Sequence, residues 1–319
     1  MKRTKKPATK EERISAFNKK INLFLMLAAF TNTLLISLFI GAGFIAQQLT
    51  VVDNPADVSN SFGLILYMVF AAAAMLAILK FYKGKLLFQL LEYGLIATSA
   101  EVFGAAFLPG YDAYLMIAAI ALRLLLPQFQ TAFLLFASII VGTILGSSLD
   151  FIPVAVFAML LAAYDYIAVF CTKHMVELAK GLTERDAAFS IKIGVSPVVK
   201  KGALVAPDFS STQKAGAETD ESEANENPKP APAVRNCIEL GLGDFLVGVM
   251  LSVSALKIGV VPSFDYALAS VIGASAGLTL MFIYLEKKGG YFPAVPPIAA
   301  GSLLCILSYW CVRSLFGTT

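Results

Sequence analysis

Polar and apolar positions along this chain fall into long blocks rather than into the short alternation of a soluble core. Apolar runs occupy roughly 21–46, 62–79, 86–108, 112–126, 131–147, 151–170, 238–260, 266–285 and 293–315. Most approach the ~20 residues needed to cross a bilayer as a helix. Pro109-Gly110 and Pro127 close the third and fourth runs. Pro153 sits where proline suits a first helical turn. Strand-like alternation is scarce, which argues against a barrel, although Phe189-Ser190-Ile191-Lys192-Ile193 reads as one short strand. Composition agrees: 58% of residues are hydrophobic and mean hydropathy is +0.75, above the level of a soluble domain. The pattern predicts an all-α polytopic membrane protein with nine transmembrane helices.

Charge tests that count. With the N-terminus cytoplasmic and the C-terminus outside, 23 of the 25 basic residues fall on inner segments, and only Lys257 and Arg313 lie outside. That is the positive-inside bias. The chain then divides into a basic cytoplasmic N-terminus (1–20), helices one to six (21–171), a cytoplasmic loop (172–236) and helices seven to nine (237–319). Within the loop, 208–232 is Glu, Asp, Pro, Ala and Ser with almost no large apolar residue, so it is expected to be a disordered tether. The N-terminal basic cluster reads as a topogenic anchor rather than a nucleic-acid arm, and no signal-peptide cleavage site follows it. No internal repeat supports an inverted-repeat transporter. Cys171, Cys237, Cys305 and Cys311 lack zinc spacing and His174 is the only histidine, so no metal, disulfide or cofactor is expected.

Five ionisable residues lie inside the predicted spans: Glu92, Glu101, Arg123, Asp165 and Asp244. A charge at a helix centre costs roughly 2.5–3.5 kcal/mol on insertion scales and demands a partner or a purpose. Glu92 and Arg123 lie at similar depth on adjacent spans, so they are expected to pair; Glu101 has no assigned partner. Asp165 precedes Lys173 by eight residues and Asp244 follows Arg235 by nine. At the helical rise both carboxylates would lie about 12–13 Å from the inner charges. Equal depth on consecutive helices is what a facing pair requires. Ala162 and Ala168 flank Asp165, and Gly241, Asp244, Gly248, Ser252 and Ala255 form one strip on the seventh run, as close helix packing in a membrane would need.

Two carboxylates held close in a low dielectric tend to share one proton. One can then take a proton from water while the other hydrogen-bonds a substrate carbonyl and later protonates the leaving nitrogen. That is amide hydrolysis without a covalent intermediate. A buried transmembrane amide must first be unwound. Gly241 and Gly243 are weak helix formers that would leave the stretch before Asp244 free to pair with an extended substrate. Pro293-Ala294-Val295-Pro296-Pro297 cannot be regular helix throughout. It either lines a cavity or caps a helix entry. Paired intramembrane carboxylates also serve proton-coupled transporters, the rival reading, which predicts a midplane substrate site. A third reading is a scaffold whose aspartates only set helix register.

With Tyr164-Asp165, Gly241-Leu242-Gly243-Asp244 and Pro293-Ala294-Val295-Pro296 in this order, the chain resembles the presenilin and signal-peptide-peptidase family of intramembrane aspartyl proteases. The inward N-terminus resembles the presenilin branch. Thr172-Lys173-His174-Met175 and the lack of obvious accessory domains look most like archaeal presenilin homologues. The resemblance implies that Asp165 and Asp244 are the catalytic pair. Tyr164, Gly241, Leu242, Gly243, Pro293, Ala294, Val295 and Pro296 would shape the substrate site. It implies transmembrane substrates cut within the lipid bilayer of the cell membrane. The family usually has Pro-Ala-Leu where this chain has Pro293-Ala294-Val295, a change expected to alter fit rather than remove activity.

Overall fold

A computed structural model of the chain describes residues 10–82, 84, 86–170, 190–193, 238–259, 261–288 and 292–316. The expected tether at 208–232, the Thr172–Met175 stretch, Cys171, His174 and Cys237 lie outside the described residues. Nine α-helices are found among the described residues: α1 (Lys10–Ala46), α2 (Ser59–Phe81), α3 (Leu86–Phe107), α4 (Asp112–Leu125), α5 (Gln130–Ser148), α6 (Phe151–Phe170), α7 (Leu242–Ser254), α8 (Phe264–Lys288) and α9 (Val295–Leu315). Seven of these segments are long and apolar enough to cross a membrane; α4 and α7 are not. With 14 and 13 residues they are only about 20 Å long, against a hydrocarbon core of roughly 30 Å. Helix α1 already starts at Lys10, so the basic N-terminal stretch enters the first helix rather than ending before it.

The seventh apolar run is the main correction to the sequence reading. Instead of a helix over 238–260, Ile238–Gly241 forms a strand, β2, before α7 begins at Leu242. A 3-10 turn over Ala255–Lys257 ends the helix. Strand β2 pairs antiparallel with β1 (Ser190–Ile193), setting Ile191 opposite Leu240. Both side chains are buried and join the core between α1, α7 and α8. Backbone groups that a helix would satisfy within itself are thus satisfied across the strand pair.

Two apolar clusters organise the bundle. The larger joins α1, the strand pair, α7, α8 and α9 through Phe30, Leu34, Phe245, Val249, Val271 and Ile298. The smaller joins α6, α7 and α9 through Phe157, Leu161, Val247, Met250, Val295 and Ala299. The small-residue strip on α7 does not face α6 as expected. A methyl group at Gly248 would meet Phe30 and Leu34 of α1, and Ser252 shares a hydrogen bond with Ser270 of α8 at 3.2 Å. The α6–α7 face is filled mainly by larger side chains, Phe157, Leu161, Val247, Met250 and Leu251, around Ala158, which bury more apolar area than alanine or glycine alone would.

Helices α3 and α4 form a side pair joined to α5, which itself packs against α7 through Gly142 and Gly146. Gly104 near the end of α3 lies against Asp112 at the start of α4. At the other end Arg123 of α4 binds Glu92 of α3 at 2.9 Å, and Gln130 of α5 donates to the same carboxylate at 2.8 Å. The expected Glu92–Arg123 pair therefore forms, with a third partner the sequence reading missed. Glu101 lies on the exposed face of α3.

Candidate active site

Asp165 lies on the last third of α6 and is 6% exposed. The site around it is built by three elements converging on the smaller cluster. Leu161, one turn earlier on α6, is in that cluster, and Ala162 and Tyr164 pack against it. From α7 come Val247 and Met250, one and two turns after Asp244. From α9 comes Val295, buried like Pro293 and Ala294 before it. Leu161, Val247, Met250 and Val295 are buried, and an apolar surrounding strengthens any interaction between charges beside it.

Asp244 is the third residue of α7, in its first turn. The backbone N–H of Gly241 donates to Asp244 Oδ2 at 3.1 Å. Glycine has no side chain to return the favour, so this is half of a capping box. The geometry changes the premise drawn from sequence. Asp244 is not a charge at the middle of a helix. It faces the unpaired N–H groups and positive dipole end of one, where a carboxylate is favoured.

Asp165 is held by a different device. Val295 opens α9, and its backbone N–H lies close enough to the Asp165 carboxylate to favour its charge. Helix N-termini leave four N–H groups without intrahelical partners, and Pro296 and Pro297 in the same turn carry no N–H at all. The Val295 amide is therefore a directed, otherwise idle donor. Sequence reasoning valued Val295 for its side-chain volume and overlooked its amide. The signal was present in the consecutive prolines that mark the first turn of a helix.

The two carboxylates are close enough for the charge of Asp165 to act on Asp244. The structure thus brings together Asp165, Asp244, Gly241 and Val295, with Tyr164 beside Asp165. Leu242 packs against the larger cluster instead. Gly243 is exposed with open space around it. The two-proline entry resolves as a helix cap: Pro296 and Pro297 occupy the first turn of α9, while Pro293 and Ala294 are non-helical.

Behind the site, α8 fixes the start of α9. A methyl group at Gly277 would overlap the carbonyl oxygen of Pro297, and one at Gly273 would overlap that of Gly301. Ser302 Oγ donates to the Ser270 carbonyl at 3.1 Å in the same crossing. Glycine is needed here because backbone meets backbone, and no side chain fits between.

The structure is thus a bundle of membrane-length helices in which two carboxylates approach each other from consecutive helices. The chain belongs to the signal-peptide peptidase, presenilin aspartyl protease family, whose model matches residues 26–311. Its fold is similar to that of a solved presenilin family intramembrane aspartate protease in a C222 crystal form. The TM-score is 0.60 at 20% identity, covering 91% of this chain and 99% of that one. A P2 crystal form of a presenilin family intramembrane aspartate protease gives a TM-score of 0.54 at 20% identity, covering 91% of this chain and 96% of that one. No curated protein matches.

Proposed function

We propose that this protein is an endopeptidase that cuts transmembrane segments with Asp165 and Asp244 as one general acid/base pair. The observation that carries the reading is a pair of mutually interacting carboxylates with separate surroundings, Asp244 bonded by the Gly241 amide and Asp165 close to the Val295 amide. Each amide leaves a carboxylate oxygen free for water or substrate. One aspartate accepts the proton of the attacking water, and the other protonates the leaving nitrogen. The apolar shell of Leu161, Val247 and Met250 keeps other water away.

The substrate must arrive extended, and β2 offers a template. Among the described residues, strand β2 pairs with β1 along one edge in a sheet of two strands. An unwound substrate backbone adds along the other edge, next to Asp244. Gly243 and Gly241, both exposed, let that backbone approach closely. Pro293, Ala294 and Val295 wall the site from α9, and Tyr164 and Leu242 border it.

The same reading assigns nine crossings, with the N-terminus and residues 172–236 cytoplasmic, in the cell membrane. Two structural observations support counting the short helices. Strand β2, α7 and the 3-10 turn together run about 35–40 Å, enough to cross. Helix α4 returns antiparallel along α3 from the Gly104 level to Glu92, where Gln130 begins α5. Cleavage then falls toward the cytoplasmic leaflet.

The test is cleavage of a single-span reporter by purified protein in detergent. Asp165→Ala and Asp244→Ala should each abolish cleavage, and the double variant should be no worse than either, because members of a catalytic unit are not additive. Asp244→Asn is the sharper probe. Its amide oxygen still accepts the Gly241 N–H, so the helix cap and folding survive, but it cannot exchange the proton. A single variant retaining a tenth of wild-type cleavage would refute the pair mechanism.

A further inference from the structure

One open cavity among the described residues lies away from the aspartates. It lies at the opposite end of α6, holds about 560 Å³, and has a mostly apolar wall that includes Phe151, Ile152, Ile258 and Val261. That volume falls in the roughly 300–1,000 Å³ range of small-molecule sites. Its only charged lining residues are Asp150, at the α5–α6 turn, and Lys257, in the 3-10 turn after α7.

These two residues form a loose pair. Lys257 Nζ and Asp150 Oδ1 are 3.5 Å apart, with the lysine side chain 15% exposed and the aspartate 46% exposed. An ammonium has three donors, and among the described residues Lys257 uses one, at the outer limit of a hydrogen bond. Donors remain on the lysine and lone pairs on the carboxylate, side by side, at the mouth of an apolar cavity. The exposed side chain of Ile152 carries that apolar surface out to the rim.

We propose that this cavity binds a membrane phospholipid whose headgroup carries both a phosphate and a primary ammonium. Lys257 takes the phosphate and Asp150 takes the ammonium, while the apolar wall receives the start of the acyl chains. Charge complementarity selects this headgroup. A purely anionic head would satisfy Lys257 but be repelled by Asp150. A trimethylammonium head has no N–H to give Asp150, and Phe151 alone is no aromatic cage for it. A water-soluble head would leave the apolar wall uncovered. A bound head would bridge the start of α6 to the end of α7, the two helices that carry Asp165 and Asp244. The site does not depend on the proteolytic reading, since occupancy is measured without cleavage.

The experiment is native mass spectrometry of the full chain in non-ionic detergent, offered phosphatidylethanolamine, phosphatidylcholine and phosphatidylglycerol of identical acyl chains. The ethanolamine lipid should be retained about tenfold more than the other two, the effect of one charge-assisted hydrogen bond. Lys257→Gln and Asp150→Asn should each erase that preference, whereas Lys80→Gln, at the other end of α2, should leave it. Equal or greater retention of phosphatidylglycerol or phosphatidylcholine would overturn the headgroup assignment, and this wild-type panel decides even where a variant fails to fold. Displacement of the lipid by an equal concentration of glycerophosphoethanolamine would overturn the membrane source. An unchanged preference in both site variants would place the lipid elsewhere.

Discussion

Replacing Gly277 with alanine tests how tightly catalysis depends on where α9 begins. The added methyl would lie deep inside van der Waals contact with the Pro297 carbonyl oxygen, and the nitrogen of Ile298 would be 3.3 Å away. To recover the ordinary 3.4–4 Å contact range, the first turn of α9 would have to retreat from α8 by about 1 Å or more. No flexible side chain can absorb that shift, because the obstacle is backbone. Overpacking of this kind costs typically about 1–3 kcal/mol. The same turn carries the Val295 amide that holds Asp165, and a misplacement near 1 Å can cost about a hundredfold in rate. Gly277→Ala is therefore expected to lower the thermal midpoint in detergent by a few degrees and cleavage of a single-span reporter by about 10–100-fold. Gly94→Ala is the control: nothing lies within 4 Å of a methyl there, so stability and cleavage should hold. If Gly277→Ala cleaved like wild type, α9 would not set the geometry of Asp165, and the anchoring argument would fall.

Other outcomes follow from contacts outside the carboxylate pair. Arg123→Met leaves the buried Glu92 with Gln130 as its one remaining hydrogen-bond partner in this cluster and should cost about 3–5 kcal/mol, whereas Glu92→Leu combined with Arg123→Met should recover most of that loss; thermal unfolding of the two variants checks it. Val295→Leu restores the usual family residue at a side chain that is 5% exposed; it should fold, change stability by under roughly 1.5 kcal/mol, and alter the ratio of cleavage products more than the total, as read by mass spectrometry of the fragments. Activity against pH should be bell-shaped, one limb for each protonation state of the pair, and Glu92→Gln should leave the shape of that profile unchanged because Glu92 is held in a separate cluster on α3.

Much of this architecture was legible because a bilayer enforces it. Apolar runs of sufficient length must be helices when no water can satisfy their backbone, so all nine runs returned a helix close to the expected position. Paired charges were legible for the same reason: Glu92 and Arg123 had nowhere else to go, and they meet at 2.9 Å. What hydropathy could not register is backbone conformation inside an apolar run. Ile238, Leu240 and Leu242 are as apolar as any helix face, and nothing in their pattern separates strand from helix over four residues. The strand exists because Ile191, distant in sequence, supplies the partner backbone and a buried cross-strand contact for Leu240. The direction of the α7 strip failed similarly. Small residues announce close packing, but the choice between α1, α6 and α8 lies with the partner surfaces, here Phe30, Leu34 and Ser270.

On the proposed nine-crossing reading, the strand also explains how Asp244 is kept at depth in the membrane. Had 238–260 been one helix, the Asp244 carboxylate would have faced hydrocarbon with every nearby amide already committed to the helix. Starting α7 at Leu242 instead frees the N–H groups of its first turn and brings the Gly241 amide to Asp244 Oδ2 at 3.1 Å. Asp165 meets the same requirement by borrowing a freed amide from another helix start, that of Val295 on α9. Among the described residues, each carboxylate is therefore favoured by an interrupted helix rather than by a buried cation. The distinction has chemical weight. A lysine or arginine partner would hold a carboxylate permanently ionised, while a single amide donor supports the charge and still allows the oxygen to take a proton. Introducing such a cation at Leu161 or Val247, buried about one turn from Asp165 on α6 and from Asp244 on α7, should therefore silence cleavage even though both aspartates remain in place.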